Sequence, residues 1–231
     1  MGRIEHSFNT QYELVEMLSK SIAMKLKKAI YEKGKASLIV SGGSTPKPLF
    51  KRLSEMSLDW EKVNVGLCDE RWIPSSHEES NEYLVKTHLL QGNAKKATFV
   101  GMYIEDTYMK DAEVLCGEKI KERLMPFDVL VLGMGSDAHT ASLFPDNVKL
   151  NEAMDLDNKS VCIAIEPKTA NYMRMSLTRQ AILSAENIYL HFEGKEKLAV
   201  YREAVSGFDM YKMPIRSVIM QESKDVKVYY A

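Results

Sequence analysis

A chain of 231 residues that is 45% hydrophobic carries enough apolar material for one substantial core, and its length is one that a single α/β domain commonly reaches. Its 31 basic and 32 acidic residues leave a formal charge of −1, and they are scattered rather than gathered into runs. That argues against a general nucleic-acid or membrane-surface binder, which would carry a positive field or stripe, yet leaves room for a small anion held by a few local cations.

In chain order, Thr10 followed three residues later by Glu13 is a capping box, and Leu14, Leu18, Ile22, Leu26 and Ala29 then share one face until Gly34, which predicts a long amphipathic helix. The run "ASLIV", a glycine turn and a prolyl start predict a strand entering a second helix. "VNVGLCDERW" reads as a strand ending in charged residues, and "SNEYLVKTHLL" as a helix capped by Ser80 or Asn81. "MKDAEVLCGEKIKERL" is amphipathic and precedes the strand "FDVLVLG"; "SVCIAIE", "YMRMSLT" and "NIYLHFE" supply further strands. A helix follows over residues 195 to about 205, and the C-terminal "IRSVIMQESKDVKVYYA" reads as a helix then a strand. Strands alternating with helices predict the α/β class: one domain over residues 1–231, on a mainly parallel Rossmann-like sheet with helices on both faces.

No apolar run approaches the roughly 20 residues needed to cross a bilayer, and the N-terminus lacks a basic-then-apolar leader, so the protein is expected in the cytoplasm. Cys68, Cys116 and Cys162 form no CxxC pair, and are expected as buried reduced thiols rather than a disulfide framework or a zinc ribbon.

In a sheet of this kind the functional loops lie at the carboxyl ends of the strands, where helix N-termini also point. Four such ends carry chemical groups, "SGGSTP", "DERW", "GMGSDAH" and "EGKEK", and they are expected to converge on one cleft. Ser41, Gly42, Gly43, Ser44 and Thr45 suit an anion, since glycines expose backbone N–H groups, hydroxyls add donors and a helix N-terminus follows. The segment is neither a Walker A loop nor a GxGxxG fingerprint; a plain turn capped by Ser44 or Thr45 is the other reading. Arg174 and Lys197 are either further cations for the same anion or solvated surface charges. "GMGSDAH" admits a dinucleotide-type turn lacking its third glycine, a metal site at Asp137 and His139, or a histidine general base oriented by a carboxylate. The other histidines show no metal-ligand spacing, and Asp137 as a simple helix cap is the remaining alternative.

Taken together and in order, "SGGSTP", "DERW" with "SNEYLVKTHLL", "FDVLVLGMGSDAHTASLFP", "RMSLT" and "EGKEKLAV" resemble the 6-phosphogluconolactonase family, within the glucosamine-6-phosphate isomerase/6-phosphogluconolactonase superfamily, over about residues 41–200. The resemblance implies hydrolysis of the lactone of 6-phosphogluconate in the oxidative pentose phosphate pathway, with no metal and no organic cofactor. By motif it makes His139 the catalytic base and Asp69 and Arg71 substrate-site residues, and Asp137 is then expected to help fix the imidazole. Residues 41–45, Arg174 and Lys197 fall on the phosphate side. The implied partner is a small phosphorylated sugar lactone, with no nucleic acid or membrane, and the implied assembly a monomer or small homo-oligomer. Two departures stand out: Ala138 occupies a position that is glycine in relatives, and no proline precedes "RMSLT". The isomerase branch resembles "HIAFNEP" where this chain reads "HTASLFP", so Phe144 takes the place of a catalytic carboxylate. A noncatalytic sugar-phosphate sensor is the other alternative; the first helix, opening at Thr10, leaves no room ahead of it for a DNA-binding module.

Overall fold

The first element is one that apolar periodicity does not announce. The computed structural model describes residues 2–168 and 170–231, and opens with β1 (Arg3–Ser7), a largely exposed, mostly polar strand at a sheet edge. Its pairing groups are met by a C-terminal strand, so backbone hydrogen bonds rather than side-chain burial place it. Helix α1 (Gln11–Lys33) follows. Thr10 Oγ1 accepts from the Glu13 N–H at 3.2 Å, and Gly34 ends the helix in the left-handed region at φ 75°, its N–H donating to the Ile30 carbonyl.

The chain continues through β2 (Ala36–Val40), α2 (Lys47–Glu55), β3 (Val63–Leu67), β4 (Asp69–Arg71), α3 (Asn81–His88), β5 (Thr98–Phe99), α4 (Met109–Arg123) and β6 (Val129–Leu132). After α5 (Leu150–Met154) come β7 (Cys162–Ile165), β8 (Arg174–Leu177), α6 (Arg179–Ser184), β9 (Asn187–Phe192), α7 (Lys195–Val205), α8 (Arg216–Ile219) and β10 (Val226–Tyr230). Seven strands form one sheet in the order β1-β10-β9-β6-β2-β3-β5, with every pairing parallel. Strands β2 and β6 are buried at every position, as a sheet flanked by helices on both faces requires. From β2 the chain runs outward to β3 and β5, then returns to place β6 on the other side of β2. The order therefore reverses between β2 and β6, and an open α/β sheet has its ligand crevice at the carboxyl ends beside such a switch point.

The stretch "VNVGLCDERW" does not remain one strand. It divides at Cys68, whose N–H donates to the Val40 carbonyl while its own carbonyl accepts from Leu177 N–H, both at 2.9 Å. Beyond that residue β4 joins β8 and β7 in a separate antiparallel sheet of three strands, with Arg71 opposite Arg174. Strands β7 and β8 thus extend this small sheet and not the parallel one; the described residues of the short link between them form no crossover helix, which parallel pairing would need. Residues 133–149 likewise contain no helix, and Ala138, Ala141 and Asp146 all take positive φ there. No described helix is long and apolar enough to cross a membrane.

Candidate active site

At the carboxyl ends of β2, β6 and β9 lies a cavity of about 300 Å³. Residues 41–45 line it beside Asp69, Arg71, His139 and Lys197. Four strand-end segments that are remote in sequence therefore meet around one space, because three belong to parallel strands near the switch point and the fourth is delivered by the turn of chain at Cys68.

The loop after β2 is tied to the loop after β6, since Ser41 Oγ accepts from Gly133 N–H at 3.2 Å. Gly43 has φ 95°, a conformation that a side chain would resist. Neither Ser44 nor Thr45 caps α2, whose N-cap is Pro46 with no side-chain bond. Their hydroxyls stay beside the cavity, with no intramolecular partner engaging them as caps.

After β6 the chain makes a tight turn in which Gly135 N–H donates to the His139 carbonyl at 2.8 Å and Ala138 N–H to the Gly135 carbonyl at 3.1 Å. Ala138, at φ 63°, holds a left-handed position that glycine adopts most readily; its strain is about 1 kcal/mol, within what the packing around a fully buried methyl group can offset. The turn brings Asp137 Oδ1 to 2.5 Å from His139 Nδ1, while the same oxygen accepts from the His139 backbone N–H at 3.1 Å. Asp137 therefore caps no helix; the next helix begins at Leu150. Gly135 has no room for a Cβ because the His139 ring lies against it. On another side the Phe144 ring packs with its centroid 4.6 Å from the imidazole centroid. Burial pushes the Asp137 carboxyl up, but the His139 bond and charge outweigh it and hold the group below its ordinary value.

Asp69 Oδ2 accepts from Ser142 Oγ at 2.6 Å, so its carboxylate is fixed from the β6 side. Arg71 donates to the Glu79 carbonyl. Lys197, in the first turn of α7, donates to the Met134 carbonyl at 2.6 Å, and burial lowers its ammonium against the opposing pull of Asp137 and Glu196. Two sequence-derived candidates do not line the cavity, Asp137, which reaches it through His139, and Arg174. Arg174 is buried; burial, then the charge of Arg71, lowers its guanidinium, and its Nη1 has no hydrogen-bond partner among the described residues. Among the described residues no three His, Cys, Asp or Glu side chains group so as to hold a metal ion.

Sequence reasoning missed the support of this site. Glu70, fully buried, accepts from Arg71 N–H and Asn81 N–H at 2.7 Å, Glu82 N–H at 2.8 Å and Ser80 Oγ at 3.0 Å. It thereby pins β4 to the N-terminus of α3, where the helix dipole favours an anion. Burial nonetheless pushes its carboxyl up to about 6 against those bonds. Ser80 is the cap of α3, accepting from Tyr83 N–H at 3.2 Å, and Asn81 is thereby free to face the cavity. His191 also lines it, nearly buried, with Nε2 3.1 Å from Glu193 Oε1. The only sequence signal for Glu70 was its place inside the "DER" triplet.

Fold and site together define an open α/β protein with a crevice at the switch point of its sheet, lined by a glycine-bearing loop, Asp69, Arg71, His139 and Lys197. Residues 9–228 match the family described as glucosamine-6-phosphate isomerases/6-phosphogluconolactonase, and the chain belongs to that family. A protein from Pseudomonas putida named 6-phosphogluconolactonase is 41% identical over 214 residues, 93% of this chain and 88% of that one. Another so named, from Rhizobium meliloti (strain 1021), is 38% identical over 226 residues, 98% of this chain and 97% of that one. The solved structure of a 6-phosphogluconolactonase from Shewanella baltica OS155 superposes with a TM-score of 0.95 at 42% identity, covering 99% of this chain and 97% of that one.

Proposed function

We propose that the protein hydrolyses 6-phosphoglucono-δ-lactone to 6-phosphogluconate, with His139 as the general base. The observation that carries the reading is His139, bonded to Asp137, lining the same cavity as the loop of residues 41–45; the names of relatives about 40% identical over most of the chain support the substrate.

An ester carbonyl is already electrophilic, so the protein must position it, activate a water, stabilise the oxyanion and protonate the departing ring oxygen. Asp137 Oδ1 receives both the backbone N–H and Nδ1 of His139. An ionised carboxylate only accepts, so Nδ1 carries the hydrogen and Nε2 is left as the basic nitrogen. His139 takes the proton of the attacking water through Nε2, and the imidazolium returns it to the ring oxygen as the C–O bond breaks. Residues 41–45 and Lys197 hold the phosphate, and Arg174, paired opposite Arg71 across β4 and β8, adds positive charge to the site. Arg71 and Asp69 hold the sugar end. Binding at the unreacting phosphate fixes the distant carbonyl. Phe144 in place of a carboxylate beside His139 favours this reading over amino-sugar isomerisation, which would need a second proton carrier there.

The test generates the lactone in situ with glucose-6-phosphate dehydrogenase and follows its decay by NMR. Acceleration that persists with chelator and is lost in folded His139→Ala is the expected result. No acceleration by the folded wild type sinks the proposal.

A further inference from the structure

Asn81 holds a polar atom that nothing among the described residues satisfies. The residue is 2% exposed and lines the cavity. Its side-chain Nδ2 donates to the Asp69 carbonyl at 2.8 Å and lies 3.5 Å from Asp69 Oδ1. Its Oδ1 has no hydrogen-bond partner among the described residues and lies against Gly42, where a Cβ would collide with it. The orientation of the amide is settled by chemistry: turned over, it would set Oδ1 against two acceptors of Asp69 and forfeit both contacts of Nδ2. Its backbone N–H is engaged by Glu70, so the residue is held at both ends with one acceptor spare.

A buried acceptor without a donor is costly, and native structures rarely keep one without a use. Its place, between the glycine-bearing loop after β2 and Asp69, lies between the groups assigned above to the phosphate and to the sugar. Of the groups on a phosphorylated lactone, the phosphate oxygens, the ring oxygen and the carbonyl oxygen only accept; the hydroxyls alone donate. We infer that Asn81 Oδ1 accepts a hydrogen bond from a ring hydroxyl of the substrate and makes Asn81 a specificity-determining residue. Gly42 is the complementary feature, its missing side chain admitting the amide to the cleft.

This inference rests on the lactonase reading, and the experiment separates the two. Wild type and Asn81→Ala are assayed on 6-phosphoglucono-δ-lactone and on its 2-, 3- and 4-deoxy counterparts. One deoxy lactone is expected to lose at least about tenfold in kcat/KM with wild type, the worth of one unpaired hydrogen bond. That penalty shrinks to within about threefold in Asn81→Ala, which is already slow on the parent. If every deoxy lactone stays within about threefold of the parent with wild type, or if the penalty is the same in folded Asn81→Ala, the inference is overturned. Should Asn81→Ala fail to fold, the wild-type series decides alone. Should the parent lactone not be turned over, the lactonase reading fails, and calorimetric binding of 6-phosphogluconate and its deoxy counterparts to wild type decides for Asn81: a tenfold preference for one hydroxyl supports it, and equal or absent binding overturns it.

Discussion

Replacing Asp137 with asparagine separates the charge of the Asp137–His139 pair from its geometry. In the native turn Oδ1 of Asp137 receives the His139 backbone N–H at 3.1 Å and Nδ1 at 2.5 Å. The backbone N–H can meet only an acceptor, so in Asp137→Asn it selects the amide oxygen for that position. Nδ1 therefore keeps an acceptor, and the ring keeps its tautomer and orientation. What is lost is the negative charge beside the imidazolium that forms as water is deprotonated. Unit charges about 4 Å apart near a protein surface interact by about 4 kcal/mol. The two side chains are 32% and 44% exposed, and solvent screening at that exposure cuts the figure to about 1–2 kcal/mol. That corresponds to a fall of about 5- to 30-fold in kcat/KM, well short of the roughly 10²- to 10⁴-fold expected for His139→Ala. Initial rates of lactone decay on both variants, with circular dichroism to establish folding, supply the comparison. A loss in Asp137→Asn equal to that in His139→Ala would refute the reasoning, because it would mean that the tautomer had switched or that Asp137 itself is the base. An unchanged rate would make the carboxylate a bystander.

The ring of Phe144 restricts the face of His139 that Gly135 leaves open, so Phe144→Ala should lower kcat about tenfold through misplacement of the base, with KM unchanged; a change in KM alone would assign Phe144 to substrate binding instead. Glu70 supplies a pH signature. Its carboxyl sits at about 6 in the folded protein against an ordinary 4.5, so between those values the folded chain holds a proton that the unfolded chain has released. Its contribution to stability is complete below about pH 4.5 and is lost as pH rises through 6, by about 2 kcal/mol in all. Urea unfolding of wild type and Glu70→Gln from pH 4 to 7 should show a stability difference that moves against wild type across that window, and a difference independent of pH would mean that the four donors fully offset the burial of the charge.

The parallel sheet was legible because its strands are buried on both faces and so read as uninterrupted aliphatic runs, "ASLIV" and "VLVL" among them. Edge strand β1 was not, since "RIEHS" faces solvent and is placed by its partner's backbone. The break at Cys68 was hidden for the opposite reason: the residue is buried like its neighbours, and only its carbonyl, turned to Leu177, reveals the change of sheet. The candidate site divides along the same line. Glycines, hydroxyls and the Asp-Ala-His turn act through their own local backbone, and local backbone preferences are written in short stretches of sequence. Arg174 and Asn81 act through what the tertiary fold sets beside them. In sequence Asn81 is as good a helix cap as Ser80; Glu70, by gathering the N–H groups at the start of α3, leaves the capping to Ser80 and turns Asn81 toward the cleft. The residue inferred to read the sugar is therefore placed by a buried carboxylate that bonds its backbone N–H and not its side chain, and no motif confined to the cleft could have named it.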